Sequence, residues 1–177
     1  FRRVLFRSTT LSTHEGWWAT KTCPSNSNRI YAAGGNSYYA ETGDMVVTSD
    51  GGSTWSTISG NTGFPSTFPR ISDIGVKPNS SFRVWVTFSG YTSGVKVYYS
   101  SNTGNNWYNR SYDLPNIPIW TIVVDVNNNV YVGTEYGVYY LESGTTSWEP
   151  YYNNLPNVPI SELAINENGD QLLAATF

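Results

Sequence analysis

Short apolar segments separated by polar turns run along the whole chain, and they recur in sets. One kind reads Ile71 to Val76, Ile119 to Val124 and Ile160 to Ile165, with a fainter copy at Trp17 to Thr22. The three clear copies share Ile-x-x-(Ile/Leu)-x-(Val/Ile) and run into an Asn-bearing turn. A second kind follows each turn: Arg29 to Ala33, Arg83 to Phe88, Val130 to Thr134 and Gln171 to Thr176. A third follows at Asp44 to Thr48, Val95 to Tyr99 and Val138 to Leu141, and a fourth begins at Trp55, Trp107 and Trp148. β-Branched and aromatic residues bounded by Gly or Asn predict strands. The stretch from Ser161 to Glu167 would pass for a helix in isolation. Its aligned counterpart contains Gly75 and runs into Pro78, both poor in helices, so the reading is strand.

The repeat is also literal. Leu114-Pro115-Asn116-Ile117-Pro118-Ile119 returns as Leu155-Pro156-Asn157-Val158-Pro159-Ile160, an offset of 41 residues (155 minus 114). Four short strands in roughly 40–55 residues is the period of a propeller blade. In Val84-Trp85-Val86-Thr87-Phe88 both alternating sets are largely apolar, as expected of a sheet covered on both faces by neighbours. The fold class predicted is therefore all-β, an incomplete β-propeller of three full four-stranded antiparallel blades and a partial fourth. The expected blades span about 17–64, 69–115, 118–156 and 159–177. With two strands in the last, the parent protein is expected to continue past Phe177. Residues 9–16 read as a leader or outer-strand remnant. Residues 1–8 resemble a translated sequencing-adapter scar, the alternative being a native basic strand.

Composition narrows the classes. Fourteen Tyr and seven Trp among 177 residues supply enough ring surface for a core, which argues against general disorder. A formal net charge of −3 and no basic run interleaved with aromatics argue against nucleic acid as partner. A single cysteine, Cys23, excludes an intrachain disulfide framework, and with the single His14 it leaves too few ligands for a His/Cys zinc site. No metal or other cofactor is expected. No apolar run approaches a membrane span, and no signal peptide is visible.

Between third and fourth strands lies Thr48-Ser49-Asp50-Gly51-Gly52-Ser53-Thr54-Trp55. It matches Ser/Thr-x-Asp-x-Gly-x-Thr-Trp, and here the chain resembles the BNR/Asp-box repeat family of sialidases, sortilin-type receptors, xyloglucan hydrolases and secreted bacterial propellers. A second copy runs from Ser100 through Asn102 and Gly104 to Trp107, with Asn for Asp. A third is read from Tyr140 through Glu142 and Gly144 to Trp148, with Glu for Asp and one extra residue. A short acceptor such as Asp50 suits N–H groups inside a tight turn, Gly52 suits a positive φ, and the Trp ring covers the hairpin. The resemblance implies a structural box at the blade periphery, away from the ligand face. It also implies that the second-to-third-strand loops, with Tyr38, Tyr39, Tyr91 and Tyr136, open on that ligand face, joined by Arg70 and Trp120 of the blade linkers.

Two functional readings follow. Exposed rings are suited to stack on sugars, or merely cap the blade ends; on the first view the chain is a non-catalytic binding or scaffold segment of a larger secreted or cell-surface protein, with a glycan or protein ligand. The alternative is part of a glycoside hydrolase, xyloglucanase-like or sialidase-like, with catalytic residues partly outside the chain. Two carboxyls would have to face one sugar. Asp73 and Glu162 occupy one position in two inner strands, with Ile122 expected there in the blade between; the reading preferred over a catalytic pair is that both are solvent-wet strand starts. The order Phe68-Pro69-Arg70-Ile71 departs from the sialidase Phe-Arg-Ile-Pro motif, and His14 lacks an elbow motif for a Ser-His-Asp triad. A third reading is a sortilin-like protein-binding propeller, without that family's cysteine-rich module.

Overall fold

The computed structural model describes residues 16–35, 43–151, 157–166 and 171–176. Fourteen strands are present among them, and no helix. The first sheet contains β1 (Gly16–Cys23), β2 (Asn26–Gly35), β3 (Asp44–Thr48) and β4 (Ser56–Thr57). The second contains β5 (Ile71–Val76), β6 (Val84–Phe88), β7 (Val97–Ser100) and β8 (Tyr108–Asn109). The third contains β9 (Ile119–Val124), β10 (Val130–Thr134), β11 (Gly137–Leu141) and β12 (Trp148–Pro150). A fourth holds β13 (Ile160–Ile165) and β14 (Leu172–Thr176). Every pairing is antiparallel between sequence neighbours, so each sheet is a meander. The inner strands β1, β5, β9 and β13 lie side by side in order, which sets the sheets radially. The chain is an unclosed β-propeller.

The two-faced apolar pattern has its cause in this stacking. All five residues of β6 are buried, with Val84, Val86 and Phe88 packing toward the first sheet and Trp85 toward the third. Each interface has its own core: Tyr31, Ile74, Val86, Phe88 and Trp107 between sheets one and two; Trp85, Ile122, Val132 and Trp148 between two and three; Ile160 and Leu163 against Val123 and Val138 between three and four. Full burial of such side chains stabilises by about 1.5–3 kcal/mol each. Gly133 lets the fourth sheet come close. A Cβ there would stand 2.6 Å from Thr121 Cγ2 and 2.7 Å from Ile160 Cγ2.

One irregularity repeats in all four sheets. The register of the inner strand slips by one residue at Trp18, Ser72, Trp120 and Ser161, a β-bulge at the same place each time. This register corrects one expectation. The residue equivalent to Asp73 and Glu162 in the third sheet is Thr121, not Ile122, because Asp73, Thr121 and Glu162 each follow the bulge and pair with Thr87, Gly133 and Ala175.

The hairpins after the third strands follow the sequence reading in two cases. The Thr48 hydroxyl donates to Asp50 (2.7 Å) and accepts from the Gly52 N–H (3.0 Å), while Asp50 accepts from the Thr54 N–H (2.9 Å) and hydroxyl (2.7 Å). Ser100, Asn102, Gly104 and Asn106 reproduce the scheme, the Asn carbonyl standing in for the carboxylate. Gly52 and Gly104 have φ of 98° and 82°. The third hairpin departs from its expected alignment. Val130 pairs with Leu141 as Ile30 pairs with Thr48 and Val84 with Ser100, so Leu141 holds the Ser/Thr position and Ser143 the Asp position. Glu142 therefore does not replace Asp50, no extra residue is inserted, and Gly144 (φ 91°) sits one place earlier than Gly52. The missing acceptor is supplied from the preceding sheet: Asp113 accepts from the Ser147 hydroxyl and the Trp148 N–H, both at 2.8 Å.

Candidate functional site: the loop face and the channel

Register fixes which end of the sheets each loop occupies. Inner strands begin where second strands finish, as Ile71 opposite Phe88 and Ile119 opposite Thr134 show. The second-to-third-strand loops and the starts of the inner strands therefore share one end. The Trp-bearing hairpins lie at the other, where Thr48 and Ser100 pair with the starts of β2 and β6.

On the loop end, Tyr91 and Tyr136 stand 63% and 57% exposed. They belong to adjacent sheets, and Glu135 connects them: the Tyr91 hydroxyl donates to Glu135 Oε2 at 2.7 Å. That bond to a carboxylate raises the Tyr91 phenol above its ordinary value. Tyr136 is presented by a two-residue turn, in which Thr134 Oγ1 donates to the Gly137 carbonyl (2.8 Å) and accepts the Tyr136 N–H (3.0 Å). Arg70 lies one sheet away, its guanidinium 4.8 Å from the Trp18 ring centre, while the Trp18 indole donates to the Ile71 carbonyl (2.8 Å). Trp120 is half-buried at the bulge position equivalent to Trp18. Tyr38 and Tyr39 lie outside the described residues. Sequence reasoning passed over Lys96, which is fully buried beneath this end with its ammonium donating to the Gly90 carbonyl. Burial lowers its pKa. Its only signal was a lysine between Val95 and Val97 at the head of a two-faced strand.

The two carboxylates weighed for catalysis take different positions. Asp73 points across the interface into the third sheet. It accepts the Ile74 N–H (2.7 Å), the Ile122 N–H (2.9 Å) and the Thr121 hydroxyl (3.0 Å). Thr121 in turn accepts the Leu163 N–H of the fourth sheet (3.2 Å). Glu162 is exposed and borders a cavity of about 540 Å³ between the inner strands, with Lys21, Val76, Ile122, Val124 and Ala164 among its walls. Asp73 is not one of its lining residues. Asp125 also borders it, but its carboxylate is occupied by the backbone and side-chain N–H groups of Asn129, each at 2.7 Å. The walls thus offer apolar surface with one exposed acid and one base, and do not pair Asp73 with Glu162.

No family model and no curated protein matches the chain. Solved structures do. An ancestral GH74 enzyme superposes with a TM-score of 0.69 at 16% identity, covering 91% of this chain and 24% of that one. The GH74 xyloglucanase from Xanthomonas campestris gives 0.64 at 15% identity, over 82% and 24%. YCF48 bound to D1 peptide gives 0.61 at 17% identity, over 95% and 49%. The chain therefore spans less than half of each of these three structures, and at these identities the likeness is one of fold, the β-propeller. No helix among the described residues is long and apolar enough to cross a membrane.

Proposed function

We propose that this chain is a non-catalytic binding or scaffolding segment of a propeller in a larger secreted or cell-surface protein, and that it takes its ligand on the loop face. The observation that supports this most is the pair of exposed phenols, Tyr91 and Tyr136, bridged by Glu135 across two sheets. Exposed rings present apolar faces to sugar C–H groups, the Tyr91 hydroxyl being held by Glu135, and Glu135 and Arg70 lie on the same end to meet ligand hydroxyls. A glycan is the ligand class this chemistry suits. A protein ligand of the sortilin kind is the competing occupant of the same face.

Glycan-array screening followed by calorimetry on the best hit tests the reading. Tyr91→Ala and Tyr136→Ala should each weaken binding by about tenfold or more, the loss of one stacked ring. Glu135→Gln should weaken it less, and Asp50→Ala, at the opposite end, should leave it unchanged. Binding that survives the double Tyr replacement would remove the loop-face platform.

The hydrolase reading keeps one supporting observation, the exposed Glu162 carboxylate on the channel cavity. In that case a second acid comes from outside this chain, because Asp73 is engaged by the third sheet.

A further inference from the structure

The contact between sheets one and two and the contact between two and three are built alike, but only the first is filled. Ile58 and Arg110 are equivalent, since their N–H groups bond the carbonyls of Met45 and Val97 at matching register. The indoles of Trp107 and Trp148 donate to the carbonyls of Ile58 (3.0 Å) and Arg110 (2.9 Å). Trp107 follows Ser100 by as many residues as Trp148 follows Leu141, so Gly104 and Thr145 are equivalent too. At the first contact Ile58 packs directly on the hairpin: a Cβ added to Gly104 would stand 2.6 Å from Ile58 Cδ1. At the second, the Arg110 guanidinium lies 5.6 Å from the ring centres of both Tyr99 and Tyr112 and donates to the Tyr112 hydroxyl. A cavity of about 140 Å³ is left between Arg110 and the 142–146 hairpin. A Cβ added to Gly144, on its rim, would meet nothing within 4 Å.

The walls of this cavity have a definite chemistry. Trp85 and Tyr99, with ring centres 4.6 Å apart, form an aromatic side. Around it stand the Arg110 guanidinium, the Asn128 amide and the exposed Glu142 carboxylate. The Thr145 hydroxyl donates to the Glu142 carbonyl (2.9 Å), which leaves its lone pairs to accept. An anion in the cavity would face Glu142, and a cation would face Arg110. A neutral ring with C–H faces and hydroxyl edges meets every wall. Size agrees, because a cavity of about 150 Å³ holds one benzene ring. We propose that this cavity binds a single ring of a neutral sugar. It lies at the hairpin end, away from Tyr91 and Tyr136, and stands independently of the loop-face platform.

Amide NMR of the full chain, titrated in turn with the methyl glycosides of glucose, galactose, mannose and xylose, reads the outcome. At least one of these sugars should give saturable shifts at 142–146 and in the Trp85 indole, with a dissociation constant of about a millimolar. Arg110→Ile copies the first contact and keeps the carbonyl that Trp148 uses, so it should close the cavity and weaken binding by about tenfold or more. Glu142→Gln, on the exposed hairpin, should weaken binding by a smaller factor, and it carries the test if Arg110→Ile does not fold. Tyr91→Ala with Tyr136→Ala should leave these shifts unchanged, which separates this site from the loop face. Absence of saturable shifts at 142–146 with all four sugars would overturn the proposal, as would shifts there that neither Arg110→Ile nor Glu142→Gln reduces. Shifts confined to Tyr91 and Tyr136 would also overturn it, while leaving the loop-face reading intact.

Discussion

Asp113 carries out in the third hairpin what Asp50 does in the first, from a different place in the chain. Asp50 is held far below the ordinary carboxylate value by the Thr54 hydroxyl and N–H and by Thr48. Asp113 is lowered by the Trp148 N–H and the Ser147 hydroxyl, so the loss of the box acid at Ser143 is offset by an acid in the preceding linker. Asn61, at the matching linker position one sheet earlier, donates to the Gly104 carbonyl (2.8 Å). The sign of the pH effect follows from the lowered values. A depressed carboxylate adds stability that is present above its unfolded pKa, about 4, and is lost as pH falls through the folded value. Thermal unfolding followed from pH 7 to pH 2 should therefore show Tm falling below about pH 4. Asp113→Asn should start lower at pH 7 and fall less steeply, and because the site is exposed the difference is small. Parallel profiles for the variant and wild type would remove Asp113 from the fastening.

At the scale of strands and hairpins, much of the architecture was legible in the sequence. The first, second and third strands follow from runs such as Ile119 to Val124 and Val130 to Thr134, whose two faces are both apolar, and β13 is the strand that Gly75 and Pro78 in its counterpart argue for. The outermost strands are only two or three residues long and are marked by the box Trp rather than by any pattern of their own. The third hairpin was misaligned because Glu142 offered a carboxylate in the local sequence. Register is set by pairing with Val130, which local sequence does not display. The bulges were equally hidden, whereas the equivalent of Asp73 was open to a plain count: Thr121 is the third residue from Ile119 as Asp73 is from Ile71, and Ile122 is the fourth. Close approach of sheets is another property of pairs. Gly133→Ala should destabilise by about 1–3 kcal/mol, because its Cβ meets two side chains below 3 Å. A drop in Tm of about 2–4 °C per kcal/mol should follow, while Gly60→Ala, with open space around it, should stay within about 0.5 kcal/mol of wild type. Equal effects at the two glycines would contradict the packing described.

At the scale of the whole molecule, sheets that make few backbone bonds to one another are joined by side chains from residues far apart in sequence. Trp18 reaches Ile71, Tyr31 donates to the Ser81 carbonyl (2.7 Å), Asp73 reaches Thr121 and Ile122, and Thr121 receives Leu163. These contacts occupy the inner strands and the hairpin end, while Tyr91 and Tyr136 stand exposed at the loop end. Of the candidate site, the tyrosines were legible as loop aromatics, but their coupling through Glu135 depends on two loops 44 residues apart in the chain. Thr121 is the hub of the inner fastening, touching the second sheet through Asp73 and the fourth through Leu163. Hydrogen exchange read by mass spectrometry on Thr121→Val, a replacement that keeps the shape and removes the hydroxyl, tests that arrangement directly. Faster exchange is expected in all three inner strands, at 71–76, 119–124 and 160–165, with the hairpin ends unchanged. Faster exchange confined to 119–124 would contradict it.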